Sequence, residues 1–158
     1  MARLYMLIGV PASGKSTWRK ANAGHAEIIS TDDIIEHRAA SKGLTYNDVF
    51  KDTIKEATEL ANQHAYKAFR MNKDVIWDQT NLTAKSRRGK LGQVPKSYER
   101  IALFFPTPDG EELQRRLASR VGKTIPAHVM ASMIASLETP VPSEGFDEIY
   151  QVPNGQDT

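Results

Sequence analysis

A glycine-rich segment near the start of the chain carries the strongest chemical signal. Residues 9–16 match the pattern G-x-x-x-x-G-K-[ST] at every fixed position. In this pattern the glycines turn the backbone so that N–H groups face phosphate oxygens, the lysine adds positive charge at the β and γ phosphates, and the serine hydroxyl binds Mg²⁺. An apolar run precedes the segment, and a helix is expected after it. We therefore predict an ATP site with Mg²⁺ at Gly9, Pro11, Ala12, Ser13, Gly14, Lys15, Ser16 and Thr17.

Carboxylates at the ends of two expected strands are the next candidates. Asp32 and Asp33 follow one short apolar run, and Asp78 closes another. A carboxylate at the first position can accept the proton of an attacking hydroxyl, and one at the second can bind Mg²⁺. Thr80 and Asn81, just after Asp78, offer side-chain donors to a phosphate of the acceptor. The residues alone leave a second interpretation open, in which these side chains only cap helices and form turns.

Two groups of basic residues can bind further phosphate. Arg116 and Arg120 are four residues apart, which predicts that they share one face of a helix leading into a short lid over ATP. The second group follows the strand that ends at Asp78 and is placed to receive a phosphodiester backbone: Lys85, Arg87, Arg88 and Lys90. Taken alone, the arginine pair is more typical of a solvated helix face, and the second group is at least as typical of one.

The elements that must position these residues alternate along the chain. Apolar runs predict strands at 4–8, 28–30, 75–78, 101–105 and 149–152, and helical spacing predicts the segments between them. We expect one long helix capped by Asn47 and another running from Asp109 through Arg120. This alternation predicts an α/β fold with a parallel sheet of about five strands and helices on both faces. The candidate residues then meet at the carboxyl ends of the strands.

Composition narrows the possible classes of protein. The formal net charge is +2, from 21 basic and 19 acidic residues, which argues against a protein that coats nucleic acid. The chain has no cysteine, so disulfides, thiol nucleophiles and cysteine metal sites are excluded. No segment approaches the ~20 apolar residues of a membrane span. We therefore expect a cytoplasmic protein with no membrane partner, and nothing in the sequence indicates a protein partner.

Taken together, these residues resemble the 5′-kinase domain of phage-type polynucleotide kinases, as in the kinase half of the T-even phage polynucleotide kinase-phosphatase. The resemblance runs from residue 4 to about residue 152. It rests on Gly-x-Pro-x-Ser-Gly-Lys-Ser-Thr at 9–17, the pair Asp32-Asp33, Asp78-x-Thr80-Asn81-Leu82 and Arg116-x-x-x-Arg120. It implies a P-loop kinase fold in one domain, residues 1–152, followed by a flexible tail at 153–158. It also implies transfer of the ATP γ-phosphate to a 5′-hydroxyl end of DNA or RNA, in a host cytoplasm if the chain is phage-encoded.

The resemblance also implies roles for single residues. Asp32 becomes the general base, and the catalytic set is Lys15, Asp32, Arg116 and Arg120. Ser16 and Asp78 are the expected metal ligands. The expected acceptor-binding residues are Asp32, Arg38, Thr80, Asn81 and Arg88.

One departure from the family affects the acceptor. Thr31 and Ile35 stand where the T-even phage enzyme has two arginines, the second of which contacts the 3′-phosphate of the acceptor. Arg38 lies one helical turn further on and is the candidate to replace it.

Two alternatives remain beside a polynucleotide kinase. The first is a P-loop kinase for another hydroxyl, such as a small metabolite or a hydroxymethylated base. The second is a nucleotide-binding module whose ATP turnover only drives a conformational change. The paired acids and the lid arginines argue against the second, because a module that only binds nucleotide needs neither a base nor a closing lid.

Overall fold

The computed structural model describes residues 1–153 and contains a five-stranded, fully parallel sheet. The strands lie in the order β2-β3-β1-β4-β5. In chain order, the elements are β1 Arg3–Ile8, α1 Lys15–Asn22, β2 Glu27–Ile29, α2 Thr31–Ser41, α3 Tyr46–Arg70, β3 Val75–Asp78, α4 Ala84–Leu91, β4 Glu99–Phe104, α5 Gly110–Ala118, α6 Ala127–Ser136 and β5 Glu148–Gln151. The α/β class and the predicted number of strands are confirmed.

Helices cover both faces of the sheet because alternate residues of the central strands are apolar on both sides. Leu4 and Met6 of β1 share one buried cluster with Trp77 and with Phe69 of α3. Leu7 of β1 belongs to a second cluster on the other face, against which Trp18 of α1 packs. A strand that is apolar on both faces has to be covered twice, which is the usual condition of parallel sheets.

Two helix ends differ from the sequence prediction. Thr45, not Asn47, caps α3, because Thr45 and Asp48 form a reciprocal capping box. Helix α5 ends at Ala118, so Arg120 lies beyond the helix and does not share a helical face with Arg116. At α3, a contact of Asn47 with the 121–125 loop, described below, competes with the local helical pattern.

The sequence predicts the C-terminal boundary of the domain at residue 152. Strand β5 ends at Gln151, and of the predicted flexible tail at 153–158 only Pro153 is described; residues 154–158 lie outside the described residues. Across residues 1–153, no helix has the length and apolar character needed to span a bilayer.

Candidate active site

The segment after β1 folds as a tight phosphate-binding loop against the next strand ends. The N–H of Gly9 donates to the carbonyl of Thr80 at 3.0 Å, so the loop starts hydrogen-bonded to the chain beyond β3. A Cβ at Gly9 would lie 2.6 Å from Oγ of Ser13 and 3.0 Å from Phe105, which only glycine avoids. Helix α1 begins at Lys15 and directs its N-terminus, which has no side-chain cap, at the loop.

Lys15 is held inside this loop. Its Nζ donates to the carbonyl of Gly9 at 2.7 Å. Burial of the ammonium lowers the pKa of Lys15 to about 8, although the carboxylates of Asp78 and Asp32 act in the opposite direction. The charge therefore sits in a poorly hydrated place, where attraction to a phosphate is strong.

A cavity of about 500 Å³ lies over the loop and the start of α1. Its walls include Lys15, Ser16, Trp18, Arg116 and Arg120. Nη1 of Arg116 donates to the carbonyl of Ala12 at 3.1 Å, which fixes the end of α5 against the loop. We refer to this space as the donor cavity.

A second cavity, of about 520 Å³, lies on the other side of Ser16 and Arg120, which line both spaces. Its remaining walls come from α2, the start of α3 and the 121–125 loop, and include Glu36, Tyr46 and Lys123. We refer to it as the acceptor cavity. Nη1 of Arg120 is buried at this junction and has no hydrogen-bond partner within residues 1–153. An unpaired buried guanidinium nitrogen is costly unless an anion can reach it.

The two acids after β2 have different surroundings. Asp33 accepts two hydrogen bonds from Arg19 of α1, and Nη1 of Arg19 also donates to Asp78 at 2.8 Å. Asp32 instead accepts from the Tyr46 hydroxyl at 2.8 Å and from Nζ of Lys123 at 3.2 Å. Asp33 is therefore held by α1, whereas Asp32 is bonded to Tyr46 and Lys123, two residues that line the acceptor cavity.

Neither acid caps α2. The hydroxyl of Ser30 accepts from the N–H of Asp33 and serves as the cap. The interpretation of Asp32 and Asp33 as capping residues is therefore wrong, and both carboxylates are left for other contacts.

The family comparison matches residues 4–140 to a profile described as AAA domain. These residues make up most of the chain. The chain belongs to this AAA domain family.

Solved structures share the fold at low identity. A putative kinase from Chloroflexus aurantiacus J-10-fl is 17% identical, with a TM-score of 0.71 over 96% of this chain and 87% of that chain. A chain of the Pnkp1/Rnl/Hen1 RNA repair complex is 21% identical, with a TM-score of 0.66 over 86% of this chain. This chain spans only 44% of that one. A sugar kinase from Janibacter sp. HTCC2649 is 21% identical, with a TM-score of 0.62 over 98% of this chain and 88% of that chain.

These likenesses establish the fold of the AAA domain as that of P-loop kinases, so the resemblance to the kinase half of a polynucleotide kinase is confirmed at the level of fold.

Within this AAA domain, Asn81 and two of the four predicted basic residues, Arg87 and Lys90, do not lie where an acceptor could contact them. The amide of Asn81 is buried and donates to the carbonyl of Leu7 at 2.7 Å, while its oxygen accepts from Lys90. Arg87 is fully buried and pairs with Glu144 at 2.7 Å. These side chains hold the turn after β3 in place, so the predicted contacts of Asn81, Arg87 and Lys90 with an acceptor are wrong.

The other predicted acceptor residues are not brought together. Arg38 forms an ion pair with Glu56 of α3. Ile35 is completely buried among α2 and α3, so position 35 faces the core. Arg88 is exposed on α4, and Thr80 contributes its carbonyl to Gly9. The roles of Arg38, Arg88 and the Thr80 side chain stay predictions.

Sequence reasoning missed Arg19, Tyr46 and Lys123. Their contacts join segments up to 91 residues apart, so no local pattern marks them. Only the place of Lys123, inside the predicted lid, gave a signal.

The oxygen atoms near the P-loop fit Mg²⁺. The Ser16 hydroxyl lines the donor cavity, and the Asp78 carboxylate lies near enough to Lys15 to act on its charge. Both are hard oxygen donors, and Mg²⁺ in such sites takes its other ligands from phosphates and water. Within the described part of the chain, no group of three or more metal-binding side chains forms a separate site.

Proposed function

We propose that this chain is an ATP-dependent polynucleotide 5′-hydroxyl kinase that transfers the γ-phosphate of ATP to a 5′-OH end of DNA or RNA. The observation that carries the proposal is the pair of cavities that share Ser16 and Arg120. One contains the P-loop lysine, and the other lies beside a carboxylate. A donor phosphate and an acceptor hydroxyl bound in the two cavities would meet between these shared residues.

In this proposal, the donor cavity holds ATP by its phosphates. The loop N–H groups, Lys15 and the N-terminus of α1 bind the β and γ phosphates, and Arg116 and Arg120 close the cavity from the side of α5. Ser16 and Asp78 would hold Mg²⁺, which neutralises phosphate charge when it is bound. Burial makes these charges effective, because water does not screen them fully.

The acceptor hydroxyl is activated by Asp32. The hydroxyl oxygen of the acceptor forms a bond to the γ-phosphorus of ATP. The bond from that phosphorus to the β–γ bridging oxygen breaks, and ADP leaves. The hydroxyl proton goes to a carboxylate oxygen of Asp32. Arg120, with its buried unpaired nitrogen, is placed to stabilise the negative charge on the transferred group.

The polynucleotide acceptor is supported by the ordered motif set and by the structural likeness to a chain of an RNA repair complex. As part of the same proposal, residues 1–152 form one kinase domain that acts in the cytoplasm.

A kinase for a small hydroxyl compound is the second candidate. It is favoured by the burial of Arg87 and the partial burial of Lys90, which leave only Lys85 and Arg88 of the predicted basic group exposed. It is also favoured by the likeness to a sugar kinase over nearly the whole chain.

The test is incubation with ATP labelled at the γ-phosphate and a panel of acceptors: 5′-hydroxyl oligonucleotides of DNA and RNA, nucleosides and sugars. We expect label on oligonucleotides, with the Lys15→Ala protein as the inactive control. Label on sugars alone would overturn the polynucleotide proposal and support the second candidate.

A further inference from the structure

Lys123 lies at the centre of a charged cluster in the acceptor cavity. Its Nζ donates to Asp32 at 3.2 Å and to Glu36 at 3.0 Å. The same atom lies 4.5 Å from the centre of the Tyr46 ring, which places the ammonium in a cation–π contact. The Lys123 side chain is well covered, with 14% of its area exposed. Three side chains from two helices, α2 and α3, therefore converge on one ammonium group.

The backbone that carries Lys123 is fixed on both sides by α3. The Asn47 side chain accepts from the N–H of Thr124 at 2.8 Å and donates to its hydroxyl at 2.9 Å. The N–H of Asn47 donates to the carbonyl of Gly122 at 3.1 Å. A Cβ at Gly122 would lie 2.9 Å from Thr45, so this close contact requires glycine. Lys123 can therefore change partners by rotating its own side chain, while the loop that carries it stays attached to α3.

These contacts occupy both oxygens of Asp32. Tyr46 donates to one of them and Lys123 to the other. Desolvation raises the pKa of the Tyr46 hydroxyl, and Asp32 raises it further, so Tyr46 remains a proton donor and cannot take a proton away. A hydroxyl that approaches Asp32 competes with these two donors for the carboxylate, and the longer of the two contacts is that of Lys123.

We propose that Lys123 makes phosphoryl transfer depend on an anionic acceptor, because a phosphate or carboxylate on the acceptor draws the lysine away from Asp32. An ammonium has three N–H donors, so Lys123 can keep Glu36 while it exchanges Asp32 for the anion. Binding of the acceptor and release of Asp32, the base, thereby occur in one step. The inference rests on the proposed kinase activity and defines its acceptor as a hydroxyl compound with a negative charge.

The neighbouring residues make Lys123 the suitable ligand. Arg38 does not line the acceptor cavity, and position 35 is an isoleucine that faces the core. Lys123 is the lysine whose ammonium lies both in the acceptor cavity and against Asp32.

The experiment measures kcat/KM with adenosine and with adenosine 3′-monophosphate as acceptors. The proteins are the wild type, Lys123→Gln, Lys123→Arg and, as a matched control, Lys55→Gln, which removes an exposed lysine from α3. Charge-assisted contacts of this kind typically change binding by roughly 10-fold to 100-fold. We expect the wild type to prefer the phosphorylated acceptor by about that factor. Lys123→Gln should lose the preference through a higher KM for the phosphorylated acceptor, and should phosphorylate adenosine faster because Asp32 is released.

The control and the arginine variant should keep the preference within a few-fold, with thermal midpoints showing that each protein is folded. A wild type that treats the two acceptors alike overturns the inference, whether or not Lys123→Gln folds. The same holds if Lys123→Gln folds and keeps the wild-type ratio. Glucose and gluconate form a second pair that identifies the source of the anion. If only gluconate is phosphorylated, and Lys123 is needed for it, the polynucleotide proposal fails and the inference stands.

Discussion

The donor and acceptor cavities are built in opposite ways. The phosphate-binding part of the donor cavity depends on one continuous segment, residues 9–17. The acceptor cavity is assembled from contacts such as Asp32–Lys123 and Asn47–Thr124, which join residues 91 and 77 positions apart. A site made from one segment appears in the sequence as a motif, whereas a site made from distant segments appears only in the folded chain. The donor site is therefore easier to recognise in the sequence than the acceptor site.

The largest expected effect is on the acceptor side. Replacing Asp32 by asparagine keeps the shape of the side chain but removes its ability to take a proton, so kcat should fall by about 10²–10⁴-fold while ATP affinity changes little. Steady-state kinetics and ATP titration measure the two quantities. The matched control is Asp33→Asn, which disturbs the contact with Arg19 and should cost less. A large loss in Asp33→Asn with normal activity in Asp32→Asn would reverse the roles of the two acids.

On the donor side, Lys15→Ala should reduce kcat/KM by about 10²-fold or more, because the ammonium is a fixed charge in a preorganised site. Lys20→Ala, which removes an exposed lysine from the same helix, is the control and should behave as the wild type. Near-normal activity in a folded Lys15→Ala protein would contradict the P-loop assignment.

Side chains that hold the donor cavity in place should contribute to the stability of the fold. Arg87 is buried against Glu144 and also donates to the carbonyl of Asn81 at 2.8 Å, so it holds the turn that hydrogen-bonds to Gly9. Glu144→Gln should lower the free energy of unfolding by about 1.5–3 kcal/mol, because a hydrogen-bonded charge is lost while the shape is kept. Urea denaturation measures the difference, and Glu59→Gln on the exposed side of α3 should change it little.

The same pair gives the sign of its pH dependence. Burial by itself raises the pKa of Glu144, but the hydrogen bonds from Arg87 outweigh it, and the pKa lies below its ordinary value. A carboxylate with a lowered pKa stabilises the fold above its unfolded pKa and loses that contribution as the pH falls. The difference between wild type and Glu144→Gln should therefore be present at neutral pH and shrink in acid. A difference that stays constant into acid would contradict the ion pair.

The smallest expected effect is the pH dependence of ATP binding. With a pKa of about 8, Lys15 loses its charge as the pH rises above that value, so above pH 8 the protein has to take up a proton when it binds ATP. The dissociation constant for ATP should then rise by up to about tenfold per pH unit above 8. Calorimetry in buffers of different ionisation enthalpy measures the proton uptake directly. Constant affinity between pH 7 and 9.5 would show that the lysine stays charged.

The sequence predicts the sheet well because its strands are short apolar runs between helical segments, and β1 and β3 are buried on both faces. It predicts α4 less well, because four basic residues in six positions suggest a solvated helix. Helical spacing instead directs Arg87 and Leu91 inward and leaves Lys85 and Arg88 exposed. Arg87 can be buried only because Glu144, 57 residues later, meets it.

The N-cap of α3 is a second feature that the local sequence does not determine. Both Thr45 and Asn47 are residues that cap helices, and local preference does not choose between them. The choice depends on the 121–125 loop, since Thr124 occupies the side chain of Asn47 and Thr45 is left to pair with Asp48.

The places of the two tryptophans give the molecule an optical property. Trp18 lines the donor cavity, with its ring centre 5.9 Å from that of Tyr5, whereas Trp77 is fully enclosed in the core. An indole beside a binding cavity changes its emission when a ligand replaces water, and an indole in a closed core gives a constant background. Because the chain has two tryptophans, the Trp77 signal remains alone in Trp18→Phe. Nucleotide arrival can thus be followed by intrinsic fluorescence, without a label, as a difference between these two emitters.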